Sequence, residues 1–160
     1  MLSLRLVCVG KLKERFYADA VNEYVKRLSS YCKLEIIEIA EYQLPAEPSD
    51  ALIEAALDRE RVAIADRLPT GFMTVALCVE GKELNSEGLS AFLMENAVRG
   101  ISKVCFIIGG SYGLHPEVKN TADFRLSLSK MTLPHSLARV FLLEQLYRAL
   151  NMADGGKYHK

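Results

Sequence analysis

Three glycines that follow an apolar run are the first residues in the sequence whose types and spacing could do chemistry. Gly109 and Gly110 come directly after residues 103–108 (KVCFII), and Gly113 follows after two intervening residues. Glycine lets a backbone approach a ligand closely and expose its amide groups. The spacing is G-G-x-x-G, not the G-x-G-x-x-G of dinucleotide-binding folds, and there is no Walker loop to hold a triphosphate. Taken alone, the three glycines favour a plain tight turn.

Two further segments make a ligand site the better interpretation. One is the end of an apolar run at residues 77–81, and the other is LSKMTLPH at residues 128–135. The second offers unpaired backbone groups and apolar side chains able to cover an adenine-sized ring. With few charges nearby, a neutral or zwitterionic ligand fits best. Met131 and Leu133 could also be ordinary core residues, and His135 could simply be a hydrogen-bonding residue at a helix start.

The chain end, KYHK at residues 157–160, places an aromatic residue and a histidine between two lysines. A chain end is usually frayed, so a disordered tail is the plain alternative. These residue types cluster in four residues with nothing apolar to bury, which is unusual for a disordered end.

Alternating strands and helices must position these segments. Apolar β-branched runs predict buried strands, and apolar residues at helical spacing predict the helices between them. Ser49 and Ser86 are expected to cap two of the helices, EGK at residues 80–82 is expected to end the third strand, and His115-Pro116 is expected to open a short helix. The predicted strands are 4–10, 33–40, 72–79, 103–108 and 124–129, and the main helices are 14–31, 50–67, 86–98 and 135–152. This pattern predicts one α/β domain over residues 1–160, with a parallel sheet covered by helices on both faces. Ligands of such sheets lie beyond the carboxyl ends of the strands, where all three segments fall.

Composition narrows the class of protein further. The chain has 160 residues, 50% of them hydrophobic, and no apolar run long enough to span a bilayer, so a cytoplasmic protein is expected. Its cysteines form no C-x-x-C pair and its three histidines are far apart, so we expect reduced thiols and no metal. The formal net charge is zero. Any nucleic-acid contact must therefore rest on a local positive field, for which residues 11–15 (KLKER) and the tail are the candidates.

The whole chain resembles a known family. The carrying motifs, in order, are LVCVGKLKE, EGKELNSEGL, IIGGSYGL, LSKMTLPH, RVFLLEQLYRA and the terminal YHK. They resemble the SPOUT-class methyltransferases that modify pseudouridine at N3 in large-subunit (23S) ribosomal RNA. The resemblance implies a SPOUT fold with a C-terminal trefoil knot, a homodimer, and action on the assembled ribosome.

The same resemblance implies S-adenosyl-L-methionine as methyl donor, held by the loops that the residues had already singled out. Carried over residue by residue, the cofactor contacts are Leu77, Gly109, Leu128, Ser129, Lys130, Met131, Thr132 and Leu133. It also implies that the tail is ordered and reaches the cofactor pocket of a partner subunit.

Roles for the tail follow as hypotheses from this resemblance. His159 would remove the N3 proton or orient the base, Lys160 would stabilise charge on a uracil carbonyl or grip phosphate, and Tyr158 would stack on the target base. Two alternatives stay open: a SPOUT enzyme acting on transfer RNA, and a ribosome-associated binding protein without catalysis.

Overall fold

A computed structural model describes residues 1–160 and contains one sheet of five parallel strands in the order β2-β1-β4-β3-β5. The predicted parallel sheet is therefore confirmed. In chain order the elements are β1 Leu2–Val9, α1 Arg15–Leu28, β2 Cys32–Ile39, α2 Asp50–Arg67, β3 Met73–Glu83, α3 Ser86–Val98, β4 Lys103–Ile108, α4 Pro116–Thr121, β5 Phe124–Ser127 and α5 His135–Ala153.

Helices cover both faces of the sheet, which explains why its central strands are apolar at successive positions. The larger core cluster lies under α1, α3 and α5, and it includes Leu4 and Phe106 from the central strands. The smaller cluster lies under α2 and α4 and takes Val7 and Ile107 from the same strands. Side chains of the central strands therefore alternate between the two clusters, one on each face of the sheet. No helix is long and apolar enough to cross a membrane.

Strand β3 is longer than the sequence predicts. Residues 80–82 were expected to form its exit turn, but they continue the strand, which pairs with β5 again after a register shift between Leu77 and Lys82. Gly81 permits this, because a Cβ at that position would come within 2.8 Å of the backbone carbon of Leu126. A single glycine was interpreted as a turn, whereas it allows a close approach between two backbones.

The helix caps agree with the sequence in two cases and differ in one. Ser49 accepts a hydrogen bond from the Leu52 amide (3.2 Å), and His115 caps the helix that Pro116 opens. The prediction that Ser86 caps α3 was wrong. The cap is Asn85, whose side chain accepts from the Gly88 amide at 2.7 Å.

Candidate functional site

A pocket of about 310 Å³ opens at the carboxyl ends of β3, β4 and β5. It gathers three loops that are far apart in the sequence, as the resemblance implied for a cofactor site. Seven of the eight predicted cofactor residues line it: Leu77, Gly109, Leu128, Ser129, Met131, Thr132 and Leu133. The eighth, Lys130, is exposed and is not among the lining residues.

The glycine loop after β4 is folded back on itself. The Gly113 amide donates to the Gly110 carbonyl at 3.1 Å, and Gly113 has a φ of +76°, in the left-handed region that favours glycine. A Cβ on Gly109 would clash with the backbone of Gly113. The chain's own turn therefore requires glycine at position 109. Residues 111–113 of this turn are exposed and can face a ligand.

A carboxylate seventy residues earlier holds this loop in place. Glu41, in the loop after β2, accepts hydrogen bonds from the Ser111 amide (2.9 Å) and the Ser111 hydroxyl (2.6 Å). Partial burial acts to raise the pKa of Glu41, but these hydrogen bonds and the nearby charges of His135 and Lys13 outweigh it, so the pKa is lowered. The sequence alone does not indicate this role of Glu41, because its partner Ser111 lies in the loop after a different strand.

The loop after β5 is shaped by two serines. The Ser127 hydroxyl donates to the Ser129 carbonyl (2.9 Å), and the Ser129 hydroxyl accepts from the Met131 amide (3.0 Å). These bonds turn the chain so that Met131 is 78% exposed at the mouth of the pocket. The alternative that Met131 is an ordinary core residue is therefore wrong.

The pocket lining is nearly neutral, because its two charged side chains, Glu80 and Lys119, pair with each other at 2.6 Å. About half of the lining residues are hydrophobic, and the glycine loop contributes backbone. Such a surface suits a ligand with an aromatic ring, hydroxyl groups and balanced charges. No group of three or more His, Cys, Asp or Glu side chains is placed to hold a metal ion.

All four cysteines are free thiols, and three of them are buried. Burial raises the pKa of Cys8 and Cys32 to about 11 and that of Cys105 to about 12. Cys78 differs, since it is half-buried and lines the pocket.

Arg139 is the most deeply buried charged residue, with 2% of its surface exposed. Its partners lie outside its own helix. Arg139 donates to Glu38 on β2 (2.7 Å) and to the Gly10 carbonyl at the end of β1 (3.1 Å), while its Nε has no partner. The acidic residue of α5, Glu144, pairs with Arg148 at 2.7 Å.

The C-terminal tail packs on its own chain. The Tyr158 ring meets the Tyr147 ring edge-on (centroids 4.8 Å apart), the Arg148 guanidinium lies 4.6 Å from its centre, and its hydroxyl donates to Glu144 (3.2 Å). Burial, followed by the hydroxyl of Tyr24 and the charge of Glu144, raises the pKa of the Tyr158 phenol. None of the residues 158–160 lines the pocket of the same chain.

His159 lies between an acidic and a basic side chain. Its Nε2 lies 2.8 Å from a Glu87 carboxylate oxygen, and its Nδ1 lies 3.4 Å from Nη1 of Arg148. A carboxylate only accepts and a guanidinium only donates, so a hydrogen bond on each side of the ring requires a proton on Nε2 and a lone pair on Nδ1. Lys160 is exposed.

Asn151, near the end of α5, anchors the tail and was missed from the sequence. Its side-chain oxygen accepts from the Tyr158 amide (3.1 Å), and its amide group donates to the Tyr31 hydroxyl (2.9 Å). Gly156 passes so close to Asn151 that any side chain at Gly156 would clash with it. A polar residue in the last turn of an apolar helix, followed by two glycines, was the available signal.

A parallel sheet with helices on both faces and a neutral pocket at its carboxyl edge defines an α/β protein that binds a small organic ligand. The chain belongs to the SPOUT methyltransferase family, because the family model described as "Predicted SPOUT methyltransferase" matches residues 2–159.

Relatives of similar length share this membership. Proteins named ribosomal RNA large subunit methyltransferase H, from Clostridioides difficile and from Bifidobacterium animalis, are each 45% identical to the chain. Each alignment covers 99% of this chain and all of the relative. Among solved structures, a Bordetella pertussis protein described as a probable methyltransferase has a TM-score of 0.54 at 16% identity, and the match covers 92% of this chain and 95% of that one. At that identity the likeness concerns the fold alone.

Proposed function

We propose that residues 1–160 act as one S-adenosyl-L-methionine-dependent methyltransferase domain that methylates N3 of a pseudouridine in large-subunit ribosomal RNA. The enzyme would work in the cytoplasm, as a homodimer, on the assembled ribosome. Membership of the SPOUT methyltransferase family carries the proposal, together with relatives at 45% identity whose names state a large-subunit ribosomal RNA methyltransferase.

The pocket described above fits the proposed cofactor in size and in charge. Its lining is half apolar, its only ion pair is internal, and the glycine loop contributes backbone to one wall. We assign the adenine-sized ring to the apolar parts of the lining, near Leu77, Leu128 and Leu133, and the more polar groups to the backbone of the glycine loop. Lys130 would act only through its main chain or through the RNA, since its side chain is exposed.

The cofactor supplies a methyl group on a sulfonium, which is already an activated electrophile. The protein's task is then to hold the base in line with that methyl group and to remove the N3 proton. Alignment of this kind accounts for a large share of catalysis. The trefoil knot implied by the family stays part of the proposal, as the device that keeps the three loops together.

The tail would supply the remaining groups from the partner subunit. The packing supports this in one respect: Tyr158 is held on α5 and His159 on α3, and none of the residues 158–160 lines the pocket of their own chain. His159 accepts the N3 proton only after its Nδ1 is released from Arg148. RNA binding would provide that release, because phosphate competes for the guanidinium. The N3 proton then moves to Nδ1, and N3 takes the methyl group.

The test is methylation of ribosomes prepared from a strain that lacks this gene. We expect the purified protein to transfer one methyl group to a large-subunit pseudouridine, located by mass spectrometry of the RNA, and to leave transfer RNA unmodified. Methylation of transfer RNA instead would support the first alternative. Binding of ribosomes without saturable heat from S-adenosyl-L-methionine would support the non-catalytic alternative.

A mixing experiment tests the homodimer and the role of the tail. One subunit lacks residues 158–160, and the other carries Gly109→Val, which forces the glycine loop out of place. Each should be inactive alone, and exchanged heterodimers should recover part of the activity through one complete site. A control subunit carries Ala51→Val, at an exposed residue of α2 that does not line the pocket, and should be active alone. No recovery after confirmed exchange would mean that the tail acts within its own chain or not at all.

A further inference from the structure

A second hollow, of about 580 Å³, adjoins the pocket at the carboxyl ends of β1 and β2. We name it the β1–β2 groove. Its lining includes Lys11, Lys13 and Tyr17, and it shares Ser111 and His135 with the pocket described above. The two hollows share Ser111 and His135, so RNA bound along the groove would lead to the mouth of the cofactor pocket.

The segment that borders the groove, residues 11–17 (KLKERFY), carries an excess of positive charge. It has three cationic side chains and one anionic side chain, Glu14, in a protein whose formal net charge is zero. Lys11 and Lys13 are exposed and unpaired, and Arg15 is 95% exposed with only a distant contact to Asp19 (3.8 Å). The other acidic group of the groove, Glu41, accepts from Ser111 and keeps its negative charge, so the positive excess lies on the exposed residues 11–15 and not on the groove lining as a whole.

The same segment exposes an aromatic face. Phe16 is 65% exposed, and its ring centroid lies 4.5 Å from that of Tyr17, which is half-buried and holds it at the groove. A single exposed apolar residue needs no explanation. Here the exposed ring lies among three exposed cationic side chains, beside a groove that adjoins a ligand pocket. Proteins that bind single-stranded nucleic acid combine aromatic rings and cations in this way.

We propose that residues 11–17 and the β1–β2 groove hold the single-stranded RNA next to the nucleotide that is methylated. Phe16 stacks on a neighbouring base, and Lys11 and Lys13 contact phosphates. This inference rests on the proposed function, since it assigns the RNA path at the same site. It also gives a protein without net positive charge a local positive segment, residues 11–15, for contact with RNA.

The first test compares binding to ribosomes that lack the modification. Lys11→Gln/Lys13→Gln should weaken binding and lower the slope of log affinity against log salt concentration by about 1.4, which is two contacts at roughly 0.7 each for single strands. The control, Lys26→Gln/Lys33→Gln, removes two exposed lysines that lie at the amino end of the sheet and should leave the slope unchanged. Equal slopes in both double variants would overturn the phosphate contacts.

The second test separates stacking from simple apolar contact. Phe16→Leu should raise KM for ribosomes by about tenfold, within the range of one lost base–aromatic stack, with kcat and S-adenosyl-L-methionine affinity preserved. Phe16→Trp should keep the wild-type KM. If Phe16→Leu instead dissociates the protein in sedimentation, this face is a subunit interface and the inference is wrong.

Different results would contradict the proposed function and the proposed RNA path. A wild-type protein that neither binds S-adenosyl-L-methionine nor methylates ribosomes would end the proposed function. A wild-type protein that methylates, with variants at residues 11–17 that match it, would end this inference alone.

Discussion

The buried pair of Arg139 with Glu38 predicts that removing its two members will have unequal effects on stability. Arg139 is 2% exposed, whereas the Glu38 side chain is 38% exposed. Glu38→Gln therefore leaves a cation that water cannot reach. Arg139→Met leaves an anion that is already partly hydrated.

The magnitudes follow from that difference. Removing one partner of a fully buried ion pair costs about 3–5 kcal/mol. Glutamine keeps a hydrogen-bond acceptor, so we expect Glu38→Gln to cost about 2 kcal/mol, or a fall in Tm of roughly 4–8 °C for a chain of this size. Arg139→Met loses the bond to the Gly10 carbonyl and should cost about 1 kcal/mol.

The assay is thermal unfolding of the wild type, both single variants and the double variant Glu38→Gln/Arg139→Met. Protein concentration must be fixed, because the Tm of the proposed homodimer would depend on it. The double variant should be about as stable as Arg139→Met alone, which gives a favourable coupling of roughly 2 kcal/mol between the two changes.

Two results would refute this reasoning. If Arg139→Met is the more destabilising single change, Arg139 acts through its packing and its bond to Gly10 and not through its charge. If the costs simply add in the double variant, the pair is not coupled and the 2.7 Å contact carries little energy.

Three further predictions concern the pocket, its loop and the tail. Cys78 should react with iodoacetamide much faster than the three buried cysteines, and S-adenosyl-L-methionine should slow its reaction. Labelling at about pH 8, followed by peptide mass spectrometry, measures both effects. A Cys78 labelling rate that the cofactor does not change would mean that the cofactor binds outside this pocket. Glu41→Gln should lower Tm near neutral pH, and its difference in Tm from the wild type should vanish on acidification. The lowered pKa of Glu41 stabilises the fold above the usual carboxyl value of 4.5, and that contribution is lost as the pH falls through the folded pKa. A difference in Tm that persists in acid would contradict the charged role of Glu41. His159→Ala should lower the single-turnover rate more than RNA affinity, whereas Lys160→Ala should weaken RNA binding with a smaller salt slope; a His159→Ala variant at the wild-type rate at every pH would point to His135 or solvent as the proton acceptor.

The sequence alone determined the features that depend on neighbouring residues. Hydrophobic periodicity gave the alternation of strands and helices and located β4 at residues 103–108, as observed. A parallel sheet brings the carboxyl ends of its strands to one edge, so the sequence alone predicts that the three pocket loops lie together. The two local errors, the turn at residues 80–82 and the cap at Ser86, arose where several polar or small residues in a row allow more than one local conformation.

Only the tertiary structure decided the contacts between residues far apart in the chain. Glu41 holds Ser111, Arg139 pairs with Glu38 instead of the nearer Glu144, and Asn151 links the tail to Tyr31. A local pattern does not specify these partners, because each partner lies on another element that the packing of the sheet brings alongside. Burial is likewise a property of the whole fold: it leaves Phe16 exposed and encloses Arg139, although one residue is apolar and the other is charged.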